Sequence, residues 1–408
     1  MGAAAAFAFT PPTIRALGGD PDPETTRWLE HLEPVFAVVE AARDETEANR
    51  ASSEEVHRAL VAAGLTRMWV APALGGAGLS LTTGLHLLTA LAAHDASISW
   101  QIGVQGAIGR FSDYLAEPVA REIFSTHDRL VIGSVNPTGR AVRTESGDYL
   151  LSGRWGLASG SPHAEWFVAA ARVLDVGGVT ERDATGNPEI VHLFVPRSAV
   201  TLLDTWYSLG LRGTASADFT ISEVRVPRER AVAGEDLLRP PPRRESRGYP
   251  IAYHDFGPFT SSATALGIAE DAVTTFIQLA ATKTPAGAAT SLARSGVVQE
   301  RLARAEALLL FARAGLERAA AEVEARGEPG GAGLSALVRI TAAAVAESTK
   351  SAVGIVIELS GSSSVFAGSR LERALRDVHT ATKHITLSAS NLEMVGQYLL
   401  GGPLLVRK

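Results

Sequence analysis

The sequence predicts a mainly α-helical protein with a central β domain. An N-terminal helical domain precedes it, and a C-terminal four-helix bundle follows. Three observations predict this. The 408 residues are 46% apolar but only 6% aromatic, and alanine, the strongest helix former, supplies much of the apolar share. The hydrophobic period changes from helical to alternating near residue 129. Helical spacing returns beyond residue 249 in long Ala-rich runs.

Taken in order, residues 1–23 read as a disordered N-terminus ending in Gly-Asp-Pro-Asp-Pro. Residues 24–128 read as an all-helical domain. A helix from Glu24 to Asn49 carries Leu29, Leu32, Phe36 and Val39 on one face. The next opens on Ser52-x-x-Glu55, a capping box. Further helices are predicted over 81–94, 97–111 and 117–126. Residues 129–235 form the β domain. Its runs 130–135, 149–151, 166–170 and 190–195 are short, rich in β-formers and separated by turn residues, the pattern of an antiparallel barrel or sandwich. The alternation over 217–226 shifts phase, which predicts a bulge near Ser222-Glu223. Residues 236–248, with three prolines and four arginines, read as an exposed linker. Residues 249–408 form the bundle, with helices predicted over 258–281, 293–326, 334–360 and 372–400.

Composition excludes several functions. With Lys+Arg 38 against Asp+Glu 44, the net charge of -6 gives no general attraction to nucleic acid or anionic membrane. Zero cysteines exclude thiolate catalysis, disulfides and Cys-ligated metal centres. The stretch nearest to a membrane span is 84–109, interrupted by His94 and Asp95, and no secretory signal is evident, so a soluble cytoplasmic protein is expected. Neither a dinucleotide-binding G-x-G-x-x-G nor a Walker loop, a G-x-S-x-G elbow or an H-E-x-x-H occurs. His379 and His384 stand five apart on the expected last helix, roughly 140° around its axis, so they should not share a metal. No metal site is expected.

Polar residues set among small and aromatic ones remain in four segments. They are Asn136-Pro-Thr-Gly139, Ser152–Ser161 with His163-Ala-Glu-Trp166, Trp206–Ser216 containing Leu209-Gly-Leu-Arg-Gly-Thr-Ala-Ser216, and Arg373–His384 containing Arg376-Asp377. With Ala62-Ala-Gly-Leu65 leading to Ala71-Pro-x-x-Gly-Gly76, these resemble, in order and over residues 25–400, the acyl-CoA dehydrogenase superfamily. Within it they are most similar to the group D two-component flavin-dependent monooxygenases. That branch includes the oxygenase components of 4-hydroxyphenylacetate hydroxylase, dibenzothiophene monooxygenase and the amino-sugar nitrososynthases.

Three departures separate the chain from the dehydrogenases. The carboxylate that follows the Arg-Asp pair there falls on Ile385 here, between His384 and Thr386. The alternative base position falls near Gly257, where Asp255 is the one close acid. The Arg-x-x-Phe-Gly grip on the FAD diphosphate is replaced by Lys283-Thr-Pro-Ala-Gly-Ala288, and Gln-x-x-Gly-Gly by Glu358-Leu-Ser-Gly-Ser-Ser-Ser364. Reduced FMN is therefore expected rather than FAD.

The resemblance implies an enzyme that receives FMNH2 from an NAD(P)H-dependent flavin reductase and reacts it with O2. A flavin C4a-hydroperoxide would then hydroxylate or N-oxidise a small organic substrate, in secondary metabolism. The resemblance also implies a homotetramer. It puts Ser159 at the flavin N5 edge and His384 at the reacting end. Asn136, Thr138, Ser161, Trp206 and Arg212 would surround the ring and tail. Lys283, with the backbone of Ser362 and Ser363, would neutralise the phosphate from a neighbouring subunit. Gln105, Ile108, Tyr253, His254 and Phe259 would line an amphipathic or aromatic pocket. Arg376 and Asp377 would pair structurally across subunits.

Structural alternatives stand beside these roles. Ser159 fits a strand-end cap, His384 a satisfied histidine inside the bundle, and 360–364 a helix C-terminal turn. Trp155 reads as core, His163 as a bridge between backbone groups, and His379 as a surface or subunit-contact residue. Gly103-Val-Gln-Gly106 is followed by Ala107 and Ile108, without the histidine that phenol-hydroxylating relatives carry there. An amine, a sugar nucleotide, a heteroaromatic ring and a polyketide all stay open as substrates. The competing functions are an FAD-dependent acyl-CoA dehydrogenase or oxidase and a catalytically inactive helical scaffold.

Overall fold

The computed structural model describes residues 21–125, 129–241, 249–326 and 330–404. Residues 1–20 of the expected disordered N-terminus and 242–248 of the expected linker lie outside them.

Among the described residues, six α-helices come first: α1 (Pro23–Ala41), α2 (Arg43–Asn49), α3 (Glu54–Ala62), α4 (Leu81–His94), α5 (Ala96–Gly109) and α6 (Glu117–Phe124). Asp22 caps α1, accepting from the Glu24 and Thr25 N–H groups. The helix predicted over 24–49 is broken at Ala42. The turn directs α2 toward the bundle, where Asp44 meets Arg373 at 2.8 Å and Glu47 meets Arg376 at 2.9 Å. The cap of α3 is Ser53, which accepts from the Val56 N–H. Ser52, expected to cap it, is instead buried with its hydroxyl 3.1 Å from His163 Nε2.

Seven strands follow: β1 (Leu130–Arg143), β2 (Tyr149–Ala158), β3 (Ala164–Leu174), β4 (Ile190–Pro196), β5 (Thr201–Leu203), β6 (Ala217–Val226) and β7 (Ala231–Ala233). They form one sheet in the order β5-β6-β2-β1-β3-β4-β7. All neighbours run antiparallel except β1 and β3, which are parallel. After the β1–β2 hairpin, the short turn at 159–163 carries the chain past β1 to its free side. A third strand placed there must run as the first does.

The predicted bulge is present. Glu223 has φ 51° and its N–H donates to Ser152 Oγ at 2.8 Å. Trp155 is core, stacked on Phe219 at 5.2 Å, with Nε1 donating to the Ala170 carbonyl at 2.7 Å. Gly139 lies flat under its ring; a Cβ there would come within 2.1 Å of Trp155.

The C-terminal part contains α7 (Gly257–Thr282), α8 (Gly296–Glu324), α9 (Ala332–Ser360), α10 (Arg370–Ala381) and α11 (Ser390–Leu399). The helix predicted over 372–400 is thus two helices, separated by a loop at 382–389 that carries His384. Among the described residues, the α9 segment, not 84–109, is the stretch long and apolar enough to cross a membrane by length and composition. Here it packs in the bundle and carries the buried Arg339, Thr341 and Thr349. Helix α5 joins the two main apolar cores. Ile98 and Ile102 pack with the helices, and Ile108 packs with the sheet residues.

Candidate active site

The end of β2 is the first element of the site. The β2–β6 register slips between Trp155 and Ala158, and Leu157 near the end of β2 and Ala215 just before β6 both adopt left-handed backbone, φ 67° and 47°. Such a conformation costs a non-glycine residue about 1–2 kcal/mol, a cost that surrounding contacts must offset. One consequence is visible. Leu157 is 62% exposed, although the adjoining Ala158 and Ser159 are buried.

Behind Leu157 runs a chain of hydroxyls. Ser159 Oγ lies 2.7 Å from Ser216 Oγ, and Ser216 Oγ lies 2.7 Å from Thr214 Oγ1. Thr214 Oγ1 donates to the Leu211 carbonyl at 2.8 Å. Each hydroxyl has one proton, so this last bond sets the direction of the rest. Ser216 donates to Thr214, and Ser159 donates to Ser216. The free lone pairs of Ser159 are therefore acceptors, shielded from bulk water because the residue is only 2% exposed.

On neighbouring β1, Asn136 and Thr138 are exposed, and Thr138 Oγ1 donates to the Arg154 carbonyl at 2.8 Å. Ser161, expected at the cofactor, is a strut instead. It is 1% exposed, and its hydroxyl donates to the Ala215 carbonyl at 2.9 Å.

The 204–216 loop is fixed from several sides. Trp206 Nε1 donates to the Leu211 carbonyl at 3.0 Å. Arg212 is committed to the Ser208 carbonyl at 3.1 Å and to Glu47 at 3.5 Å. From α10, Arg376 donates to the Leu209 carbonyl at 2.9 Å, and Asp377 accepts from the Leu211 N–H at 2.6 Å. Gly210 permits this approach; a Cβ there would stand 2.3 Å from the Arg376 carbonyl oxygen. Within the chain, Arg376 and Asp377 thus hold different partners on the same loop. Burial pushes the Asp377 carboxyl up to about 7, with Asp95 and Glu47 adding to it against the Leu211 N–H and Arg376.

His384 is the second element. It opens the 382–389 loop beside α10, with its ring edge-on to Trp100 at 5.4 Å and Nδ1 2.7 Å from Thr386 Oγ1. The side chain is half-buried. Desolvation holds its pKa down to about 4, so it is neutral near pH 7. Next to it, Ile385 is 53% exposed and apolar where a dehydrogenase would carry a carboxylate. Asp255, the acid near the alternative base position, is locked to Arg339 at 2.9 Å and Ser335 at 2.7 Å.

Lys283, expected to act from a neighbouring subunit, follows the opposite end of α7 from the His384 loop, which contacts Ser261. Its Nζ donates to the Ser360 carbonyl at 2.6 Å and to Ser363 Oγ at 2.8 Å, beside the exposed Ser362. Gly361, with φ 54°, ends α9 there, so the segment is also the helix-terminal turn that its composition suggests.

The expected pocket residues are mostly interior. Gln105 is 1% exposed and accepts from the Val131 N–H at 2.9 Å, which ties α5 to β1. Ile108 and Tyr253 pack in the sheet core, with Tyr253 against Phe111 at 4.4 Å. Phe259 belongs to the helical core. Only His254 keeps a half-exposed side chain. His163, expected to bridge backbone groups, meets one, with Nε2 3.0 Å from the Ser52 carbonyl; its Nδ1 lies 3.4 Å from the Glu54 carboxylate, and the ring stacks on His57 at 4.3 Å. His379 is exposed on α10. Among the described residues, no group of three or more metal-ligating side chains occurs. Sequence reading gave no role to Leu157, Thr214, Ser216, Trp100, Thr386 and Ser261; Leu157, Thr214 and Ser216 stand inside the motif segments and Thr386 beside His384, but Trp100 and Ser261 carry no sequence signal.

Comparisons with known proteins agree with this architecture. Residues 259–389 match the family "Acyl-CoA dehydrogenase, C-terminal domain". A pigment production hydroxylase from Rhodococcus sp. is 27% identical over 92% of this chain and 97% of its own length. The oxygenase component of p-hydroxyphenylacetate 3-hydroxylase from Acinetobacter baumannii is 25% identical over 89% of this chain and 86% of its own. The crystal structure of XiaF from Streptomyces sp., in complex with FADH2 and glycerol, superimposes with a TM-score of 0.87 at 21% identity, covering 94% of this chain and 98% of that one.

Proposed function

We propose that this chain, a member of the acyl-CoA dehydrogenase superfamily, works as the oxygenase component of a two-component flavin-dependent monooxygenase. It takes FMNH2 from a separate NAD(P)H-dependent flavin reductase and uses O2 to hydroxylate or N-oxidise a small organic substrate in secondary metabolism. It acts in the cytoplasm as a homotetramer. One observation carries the reading against its main rival. Neither position that supplies a dehydrogenase base offers a usable carboxylate: one is Ile385, and the acid near the other, Asp255, is bound to Arg339 and Ser335.

The residues present suit a reduced flavin. The exposed Leu157 offers an apolar contact for a flat ring, while Asn136 and Thr138 on β1 offer polar groups to its carbonyls. The bound flavin would supply the electrons and the site at which oxygen is activated. The chain contributes the rest. Ser159, oriented as an acceptor through Ser216 and Thr214, holds a ring N–H. Trp206 and Arg212 stiffen the loop behind it. Lys283, with Ser362 and Ser363, offers a cation and polar groups to the phosphate of a flavin held by a neighbouring subunit. A single phosphate is all that this cluster serves, since the Arg-x-x-Phe-Gly diphosphate grip is missing. His384, neutral near pH 7, meets the substrate and manages one proton.

The second reading, an FAD-dependent acyl-CoA dehydrogenase or oxidase, predicts different material on purification. The monooxygenase comes out nearly colourless and binds reduced FMN stoichiometrically. Protein that arrives yellow with tightly held FAD and is bleached by an acyl-CoA overturns the proposal. A protein that binds neither flavin form would be the inactive scaffold.

A further inference from the structure

The structure assigns Thr386 and Ser261 a positioning role: together they fix the tautomer of His384, leaving Nε2 bare as an acceptor for a ligand. The inference rests on the reading above only for what that ligand is. The tautomer follows from proton counting. Thr386 Oγ1 donates to Ser261 Oγ at 2.8 Å. Its one proton is then spent, so the 2.7 Å contact with His384 Nδ1 requires the ring to donate and Nδ1 to carry hydrogen.

A competing bond exists, because the Thr386 backbone N–H lies 3.4 Å from the same Nδ1 and would need its lone pair. The two cannot hold together. The 2.7 Å contact is near the ideal length, whereas 3.4 Å is beyond the ordinary range, so the side-chain relay prevails. Burial keeps the ring neutral, so it has a single proton to place, and that proton is on Nδ1. Trp100 covers one side edge-on and limits rotation of the ring. A group meeting Nε2 must therefore bring its own hydrogen. His384 is set to receive a proton from an O–H or N–H and not to donate one to an oxygen.

The relay crosses three elements. Ser261 lies in α7, Thr386 in the 382–389 loop, and Trp100 in α5. Gly257, one turn before Ser261, would place a Cβ 3.2 Å from Thr386 Cγ2, so its lack of a side chain leaves room for the loop.

The test is the 15N spectrum of histidine-labelled protein at neutral pH, with His384 assigned by difference against His384→Gln. The expected signature is a protonated Nδ1 and an unprotonated Nε2. Thr386→Val should lose that signature, Thr386→Ser should restore it, and Ser261→Ala should leave a mixture. Product formed per reduced flavin should fall about tenfold in Thr386→Val and recover in Thr386→Ser, the effect of one hydrogen bond. A wild-type ring protonated on Nε2 overturns the inference, as does an unchanged spectrum in Thr386→Val. If the tautomer is as stated but no oxygenation occurs in any variant, the monooxygenase reading fails and the positioning role stands.

Discussion

Replacing Asp377 by Asn should stabilise the protein above neutral pH and leave it unchanged in acid. Asp377 is 4% exposed and accepts from the Leu211 N–H at 2.6 Å. Its carboxyl is raised from 3.8 to about 7, first by burial and then by Asp95 and Glu47. Between those values the folded state holds a proton that the unfolded state has released, so stability falls as pH rises from about 4 to 7 and is level beyond. At ~1.36 kcal/mol per pH unit, the folded protein carries a penalty of about 4 kcal/mol at pH 8. Asn reproduces the protonated side chain: its amide oxygen still accepts from Leu211, and no charge needs burying. An unfolding entropy of about 2.1 cal/mol/K per residue makes that penalty worth ~5 °C in Tm for a chain of 408 residues. The assay is thermal melting of both proteins from pH 4.5 to 8.5. Their curves should converge at the acid end and separate steadily to pH 7. Asp377→Ala, which also removes the buried charge but leaves the Leu211 N–H without its acceptor, should melt lower than Asp377→Asn at every pH, by about 1–3 kcal/mol. A gap between wild type and Asp377→Asn that does not vary with pH, or a less stable Asn variant at pH 8, refutes the reasoning.

The remaining expectations concern the cofactor and the pocket. Ser159→Ala removes an oriented acceptor and should raise hydrogen peroxide released per substrate oxygenated by about tenfold, the effect of one lost hydrogen bond; equal coupling in both proteins would remove Ser159 from the site. Lys283→Met should weaken FMN binding roughly 10- to 100-fold, as expected for a charge-assisted bond, and leave riboflavin, which has no phosphate, bound as before; equal losses for both ligands would show that Lys283 acts on the fold. Gln105→Ala should lower stability by about 1–3 kcal/mol by stranding the buried Val131 N–H, with substrate KM unchanged; a raised KM without destabilisation would return Gln105 to the pocket.

Much of the architecture was legible because it depends on local period. The helix–sheet–helix order, the bulge at Ser222-Glu223 and the burial of Trp155 all follow from spacing and side-chain size. What was illegible depends on partners distant in the chain. Ser52 and Ser53 both suit a cap, and it is His163, 111 residues from Ser52, that draws Ser52 inward. The break at 382–389 is unmarked because Thr382-Lys-His-Ile-Thr-Leu-Ser-Ala389 contains neither glycine nor proline. The parallel β1–β3 pair is invisible to alternation, which gives the buried face of a strand and not its direction. Tyr253 and Phe259 show the same limit at the site, since apolar aromatics serve a core and a pocket equally well. Ser159 and His384 were found by motif, whereas the hydroxyls that orient them, Ser216 with Thr214 and Thr386 with Ser261, are set by tertiary contact.

The central claim is that this chain holds reduced flavin and directs its reaction with oxygen. Rapid mixing of the protein and reduced FMN with oxygenated buffer tests it most directly, followed at the absorbance of oxidised flavin. Oxidised flavin should appear after a marked lag compared with free FMNH2, and little peroxide should be lost during the lag. Reoxidation with the same time course and peroxide yield as free FMNH2 would contradict the account.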